Sequence, residues 1–200
     1  MSNTIVETIL EFAFGPDEAP ATVQERLVQR WFVHDDAFDA EIRRRFADLI
    51  DVAIAGELDS WAKSARGRLA LLFILDQFPR NLYRNTPGAY AGDSAAQRLA
   101  LEGIARGDDL AVAPRQRAFC YLPLEHAEDL VLQRRSVALF TALAADPLAV
   151  PRQQYETYLD YARRHMEVIQ RFGRFPHRNR ALGRPSNPDE QAYLSAAGGF

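Results

Sequence analysis

From Leu69 to Leu75 the chain carries apolar residues without a break, set between Arg68 and Asp76. A helix over Arg68–Phe78 is then apolar on every side, and such a helix needs other helices around it. The run is too short to cross a membrane, which takes about 20 residues. It calls for a core built round one central helix. Pro79 is expected to end that helix, because the residue before a proline is pushed towards extended geometry.

The other segments read as helices that could supply the cover. Thr4-Ile-Val-Glu7 and Thr22-Val-Gln-Glu25 fit the capping-box pattern, in which hydroxyl and carboxylate satisfy free amides at a helix start. Asp35 or Asp36 can cap a helix whose apolar face is Phe38, Ile42, Phe46, Leu49 and Ala53, with Gly56 closing it. A short helix is expected around Leu58–Ser64. Asp93 can cap Ser94–Arg106, and Gly107 ends it. Pro114 opens another short helix. Pro123 stands at the start of a long one reaching Ala145. Tyr155, Tyr158, Ala162, His165, Ile169 and Phe172 step by threes and fours along Gln153–Phe172, and Gly173 stops that helix. Asn187-Pro188 signals a last start. No strand alternation and no linker is visible. The expectation is an all-α chain: a single all-helical domain over residues 1–200, with about eight or nine helices.

Charge and cysteine usage exclude several classes. One cysteine, Cys120, rules out an internal disulfide. It lies in an apolar run and reads as an inert buried thiol. Ser2–Glu11 is acidic and lacks the basic lead of a secretory signal, so a cytoplasmic location is expected. The net charge of −3 hides clustering, since residues 163–184 hold seven arginines and one acid. The acidic total, without interleaved aromatic and basic patches, speaks against nucleic acid. No membrane partner is expected.

Three polar segments stand out among the patterned helices. In Leu75-Asp-Gln-Phe-Pro-Arg-Asn81, Asp76 shares a face with Leu72 and Leu69, and a buried carboxylate there needs a partner. An ion pair with Arg80, Arg174 or Arg178 is the structural explanation, and acid–base catalysis the functional one. In Pro123–Gln133, the residues Glu125, Asp129 and Gln133 form an i, i+4, i+8 stripe, and His126 reaches Asp129 at i+3. An imidazole oriented by a carboxylate is the usual form of a general base. The third segment runs from His165 through Arg174, His177, Arg178 and Asn179 to Arg184. It is dense in cations that suit phosphate or carboxylate. Phe78-Pro-Arg80-Asn81 and Phe175-Pro-His-Arg178-Asn179 echo one another, as two similar helix ends that could converge on one place.

These segments, together with Phe12-Ala-Phe-Gly15 and the Trp31-Phe32…Phe38-Asp39 entry, resemble the signature stretches of the bacterial domain of unknown function 924 (DUF924) family. The motifs occur in the same order, and the resemblance covers essentially the whole chain. It implies a tetratricopeptide-like, right-handed array of antiparallel helices. Family members usually carry Trp where Ala13 sits and Ser where Ala127 follows His126. The family brings no established activity.

Three functions fit. In the first, Arg80, Arg174, Arg178 and Arg184 clamp a small anionic ligand, with Asn81, Gln133, His165, His177 and Asn179 lining the pocket. In the second, a hydrolase uses His126, oriented by Asp129 or Glu125, as general base and Asp76 as a second acid or base. No nucleophile elbow is present, so water would attack. No cofactor motif and no metal-ligand spacing is present, although a divalent metal could carry that water. In the third, the array docks a peptide or protein, a reading that rests on fold analogy.

Overall fold

The computed structural model describes residues 2–16 and 18–197, and within them the chain is all-α. The order is α1 (Ser2–Phe14), α2 (Ala21–Gln29), α3 (Asp36–Ile54), α4 (Ala65–Leu72), α5 (Phe78–Leu82), α6 (Asp93–Arg106), α7 (Pro114–Glu125), α8 (Leu130–Ala145), α9 (Arg152–Phe172) and α10 (Pro188–Ala197). Short 3-10 turns join several of them, including Asp59–Lys63 and Pro176–Arg178. Among the described residues no helix is long and apolar enough to cross a membrane.

The apolar run is the centre of the fold. Every residue from Gly67 to Pro79 is buried. Ser64 starts α4 by accepting a hydrogen bond from the Gly67 amide (3.1 Å). α4 packs against α1, α6 and α7. Around it the rings of Trp31, Phe38, Phe46, Phe73, Phe78 and Phe119 stack or meet edge to face. Phe73 and Phe119 lie 4.8 Å apart, and Phe46 and Phe78 lie 5.1 Å apart. α3 is capped by Asp35, whose Oδ1 accepts from Ala37 N and Phe38 N. Its buried face takes Ile50 where the sequence pointed to Leu49.

Four local expectations are corrected. Thr4 and Thr22 are not caps, because α1 and α2 begin before them, and the residue capping α2 is Pro20. Pro79 does not end the central helix. The chain widens into a π-helical turn at Phe73–Gln77 and continues as α5. That wide turn accommodates the missing N–H of Pro79 and the crowding its ring brings to the carbonyl four residues back. Counted as one element, the run from α4 to α5 leaves nine α-helices among the described residues.

Asp93 is the first residue of α6 and not its cap, a place taken by Gly92. Finally, α7 carries Pro123 inside it and stops at Glu125. α8 starts afresh at Leu130, because the Asp129 carboxylate captures Val131 N and Leu132 N as an N-cap. The Glu125–Asp129–Gln133 stripe therefore does not form.

Gly92 lies directly over the carbonyl that Pro79 leaves without its helical donor. A Cβ on Gly92 would come within 2.2 Å of Leu75 O. Both partners are backbone, so neither yields easily. Gly92→Ala is expected to cost about 3 kcal/mol, the upper end of overpacking penalties. Chemical denaturation would show this as a lower midpoint with an unchanged slope, and an unshifted midpoint would refute the close contact.

Candidate functional site

The three polar segments come together where the π turn, the end of α7 and the Pro176–Arg178 turn meet. Asp76, in the π turn, is 1% exposed. Its Oδ1 faces His126 Nδ1 at 2.8 Å and Arg80 NH1 at 3.0 Å, and its Oδ2 accepts from Gln77 Nε2. Burial alone would raise this carboxyl. Arg80 and His126 outweigh it and hold Asp76 down at about 2, so it is ionised at neutral pH.

His126 caps the C-terminus of α7. An ionised Asp76 can only accept, so the shared proton sits on Nδ1 and the lone pair on Nε2. Nε2 has no hydrogen-bond partner among the described residues and is not sealed off from water. The side chain is 15% exposed. Burial, helped by the charge of Arg80, lowers the His126 pKa, so the ring is neutral at pH 7. This replaces the expected His126–Asp129 pair.

Behind the dyad lies a second His–carboxyl pair. His165, on the buried face of α9, has Nδ1 2.9 Å from Tyr161 O and 3.2 Å from Glu125 Oε1. Its ring centre is 6.3 Å from that of His126. Burial, reinforced by Asp76, pushes Glu125 up to about 8. Burial, reinforced by His126, pushes His165 down to about 3, and burial with Arg178 pushes His177 down to about 4. Gln133 ties the loop together by donating from Nε2 to Glu125 O and Ala127 O.

The twin Phe-Pro segments converge, on a residue that the sequence offered only as a helix cap, Asp93. Arg80 bonds Asp93 through two nitrogens (2.8 and 3.2 Å), and Arg178 NH1 reaches the same carboxylate at 3.2 Å. Arg178 also donates to His126 O (2.9 Å), which anchors the turn to the dyad. Its guanidinium stands 4.6 Å from the Tyr90 ring centre and 4.5 Å from that of Phe175.

The remaining predicted residues have other work. Arg184 pairs with Glu128 (2.6 and 2.9 Å), and Arg174 pairs with Glu190 (2.7 and 2.9 Å). Asn179 bonds Ser186, Glu190 and Arg184. Asn81 donates to Asp39 on α3. The four-arginine clamp is thus corrected, since each guanidinium already faces a carboxylate. Asp93, Tyr90, Glu128 and Glu190 were missed as partners. Glu190 had a signal, because Asn187 and Glu190 cap α10 reciprocally, yet nothing local showed that Arg174 would share it. Among the described residues no three His, Cys, Asp or Glu side chains gather to hold a metal. A cleft of about 140 Å³ lined by Glu7, Glu11, Glu18 and Arg66 lies elsewhere and includes none of these residues. Cys120 is buried, and burial raises its thiol to about 12, so it is no nucleophile at neutral pH.

These perturbed groups set the pH dependence of stability. His126, His165 and His177 all titrate lower in the fold than their ordinary 6.5. Below that pH the unfolded chain binds protons that the folded chain refuses, so acidification destabilises. Glu125 works the other way, since it keeps its proton in the fold up to about 8 and loses it near 4.5 when unfolded. Three histidines outweigh one glutamate between pH 6.5 and 4.5. The melting temperature is expected to fall from pH 7 to pH 5, and to fall less in His165→Asn. A rise on acidification would contradict the buried neutral histidines.

An all-α chain that buries an Asp–His dyad where its three polar segments meet is the class these features define. The chain belongs to the bacterial proteins of unknown function of the DUF924 family, whose model matches residues 9–198. It is similar to the solved structure of a protein of unknown function from Agrobacterium tumefaciens. The two share 38% identity and a TM-score of 0.82, over 97% of this chain and 98% of that one. No curated protein matches the chain.

Proposed function

We propose that the protein is a hydrolase in which His126 activates water. The observation that carries this is the 2.8 Å contact between Asp76 and His126 Nδ1, with Nε2 left to water. The arginines are engaged with carboxylates, whereas Nε2 is a basic atom kept neutral and oriented, with no hydrogen-bond partner among the described residues. Asp76 fixes the tautomer and stabilises the imidazolium that forms. Arg80 shares Oδ1 of Asp76 with His126, so its charge keeps Asp76 ionised against the ring.

In the step, water attacks the electrophilic centre while Nε2 takes its proton. The electron pair of the attacked double bond moves to oxygen. When the intermediate collapses, the leaving oxygen or nitrogen takes the proton back from Nε2. Ester or amide plus water becomes acid plus alcohol or amine, with no other reactant.

A panel of ester, amide and phosphate substrates tests this, followed by a pH–rate profile on any that is turned over. The profile is expected to stay flat through neutral pH and fall under acid as His126 gains a proton. No turnover above buffer across the panel, or a rate that rises into acid, would sink the reading.

A further inference from the structure

We infer that Asp93 is the built-in occupant of a two-arginine anion seat, and that the group brought to His126 is therefore uncharged, an ester or amide carbonyl. The second half rests on the hydrolase reading above, and the first does not. Arg80 and Arg178 come from chain segments about a hundred residues apart and present two forks to one point over the Tyr90 ring. Such an arrangement ordinarily recognises carboxylate or phosphate. Here the chain supplies that carboxylate itself. Asp93 Oδ1 takes Arg80 NH1, and Oδ2 takes Arg80 NH2 and Arg178 NH1, the contacts an anionic ligand would make.

The position is built, since Gly92 lets the first turn of α6 approach Leu75 O, one residue from Asp76, closer than a side chain would allow. The inner charges then close: Arg80 and Arg178 against Asp76 and Asp93, with neutral imidazoles and a protonated Glu125 beside them. A dianionic phosphate arriving at His126 would meet two carboxylates and no unopposed cation. An uncharged carbonyl meets no such opposition. Its negative charge appears only during reaction, as His126 becomes positive.

Inorganic phosphate is the probe. The parent protein is expected to show no melting shift with phosphate. Asp93→Ser removes both the charge and the bulk of the carboxylate and so empties the seat. It should gain phosphate binding, seen as a rise of about 5 °C at roughly 100 times Kd. Arg178→Gln added to Asp93→Ser should abolish the gain. Phosphate binding by the parent, or an Asp93→Ser protein as indifferent to phosphate as the parent, would overturn the seat. Where Asp93→Ser does not fold, Asp93→Ala replaces it and is judged in the same way. A neutral nitrophenyl ester and nitrophenyl phosphate, offered to the parent, give the second arm. Turnover of the phosphate would overturn the uncharged-substrate inference and leave the hydrolase reading intact. Failure on every substrate would sink the hydrolase reading, and with it the substrate assignment, while the phosphate arm still judges the seat.

Discussion

His126→Gln is expected to lower turnover by roughly 10²–10⁴-fold, the usual contribution of a positioned general base, with little change in melting temperature. Gln can still donate from its amide nitrogen to Asp76, so the buried carboxylate keeps a partner and the fold keeps its balance. It has no lone pair basic enough to take a proton from water. The loss should therefore fall on kcat and not on KM. It should also be flat with pH, because the group whose titration shaped the profile is gone. A variant that keeps full turnover would show that the ring is structural only.

Asp76→Ala is expected to destabilise the protein by about 3–5 kcal/mol, the cost of breaking a buried ion pair from one side. Asp76 is 1% exposed and holds Arg80, His126 and Gln77 at once. Removing it leaves Arg80 leaning on Asp93 alone and frees His126 to change tautomer. Asp76→Asn separates the two roles. It preserves volume and some hydrogen bonding, so its stability should lie between parent and Ala. Its turnover should fall as far as that of His126→Gln, because a neutral amide no longer compels the proton onto Nδ1. Equal stability of the Ala variant and the parent would contradict the burial and pairing described.

Much of the fold was legible because helix periodicity and punctuation are local. Leu69–Leu75 announced a central buried helix, and Gly107 and Gly173 close their helices in the left-handed conformation the sequence suggested. What failed locally was competition for the same groups. Asp129 could have oriented His126, but the free amides of α8 were nearer and took it. Asp93 could have capped α6, but Arg80 of α5 and Arg178 of the Pro176–Arg178 turn hold it as a counter-ion. Pro79 did not push Phe78 out of helical geometry, and the chain accommodates the ring by widening the turn before it instead of stopping. The meeting of Asp76, His126 and Arg178 was readable as a possibility from their residue types. Which carboxylate each guanidinium would choose depends on packing between α5, α6 and the Pro176–Arg178 turn, and sequence spacing does not encode that.

The ring nitrogens of His126 decide the central claim. Heteronuclear NMR of the nitrogen-labelled protein, with His126→Gln for assignment, reports which nitrogen carries the proton. At pH 7 the Nδ1–H form of a neutral ring is predicted, with the lone pair on Nε2, and that preference should be lost in Asp76→Asn. A proton on Nε2, or a fully charged imidazolium at pH 7, would contradict the account.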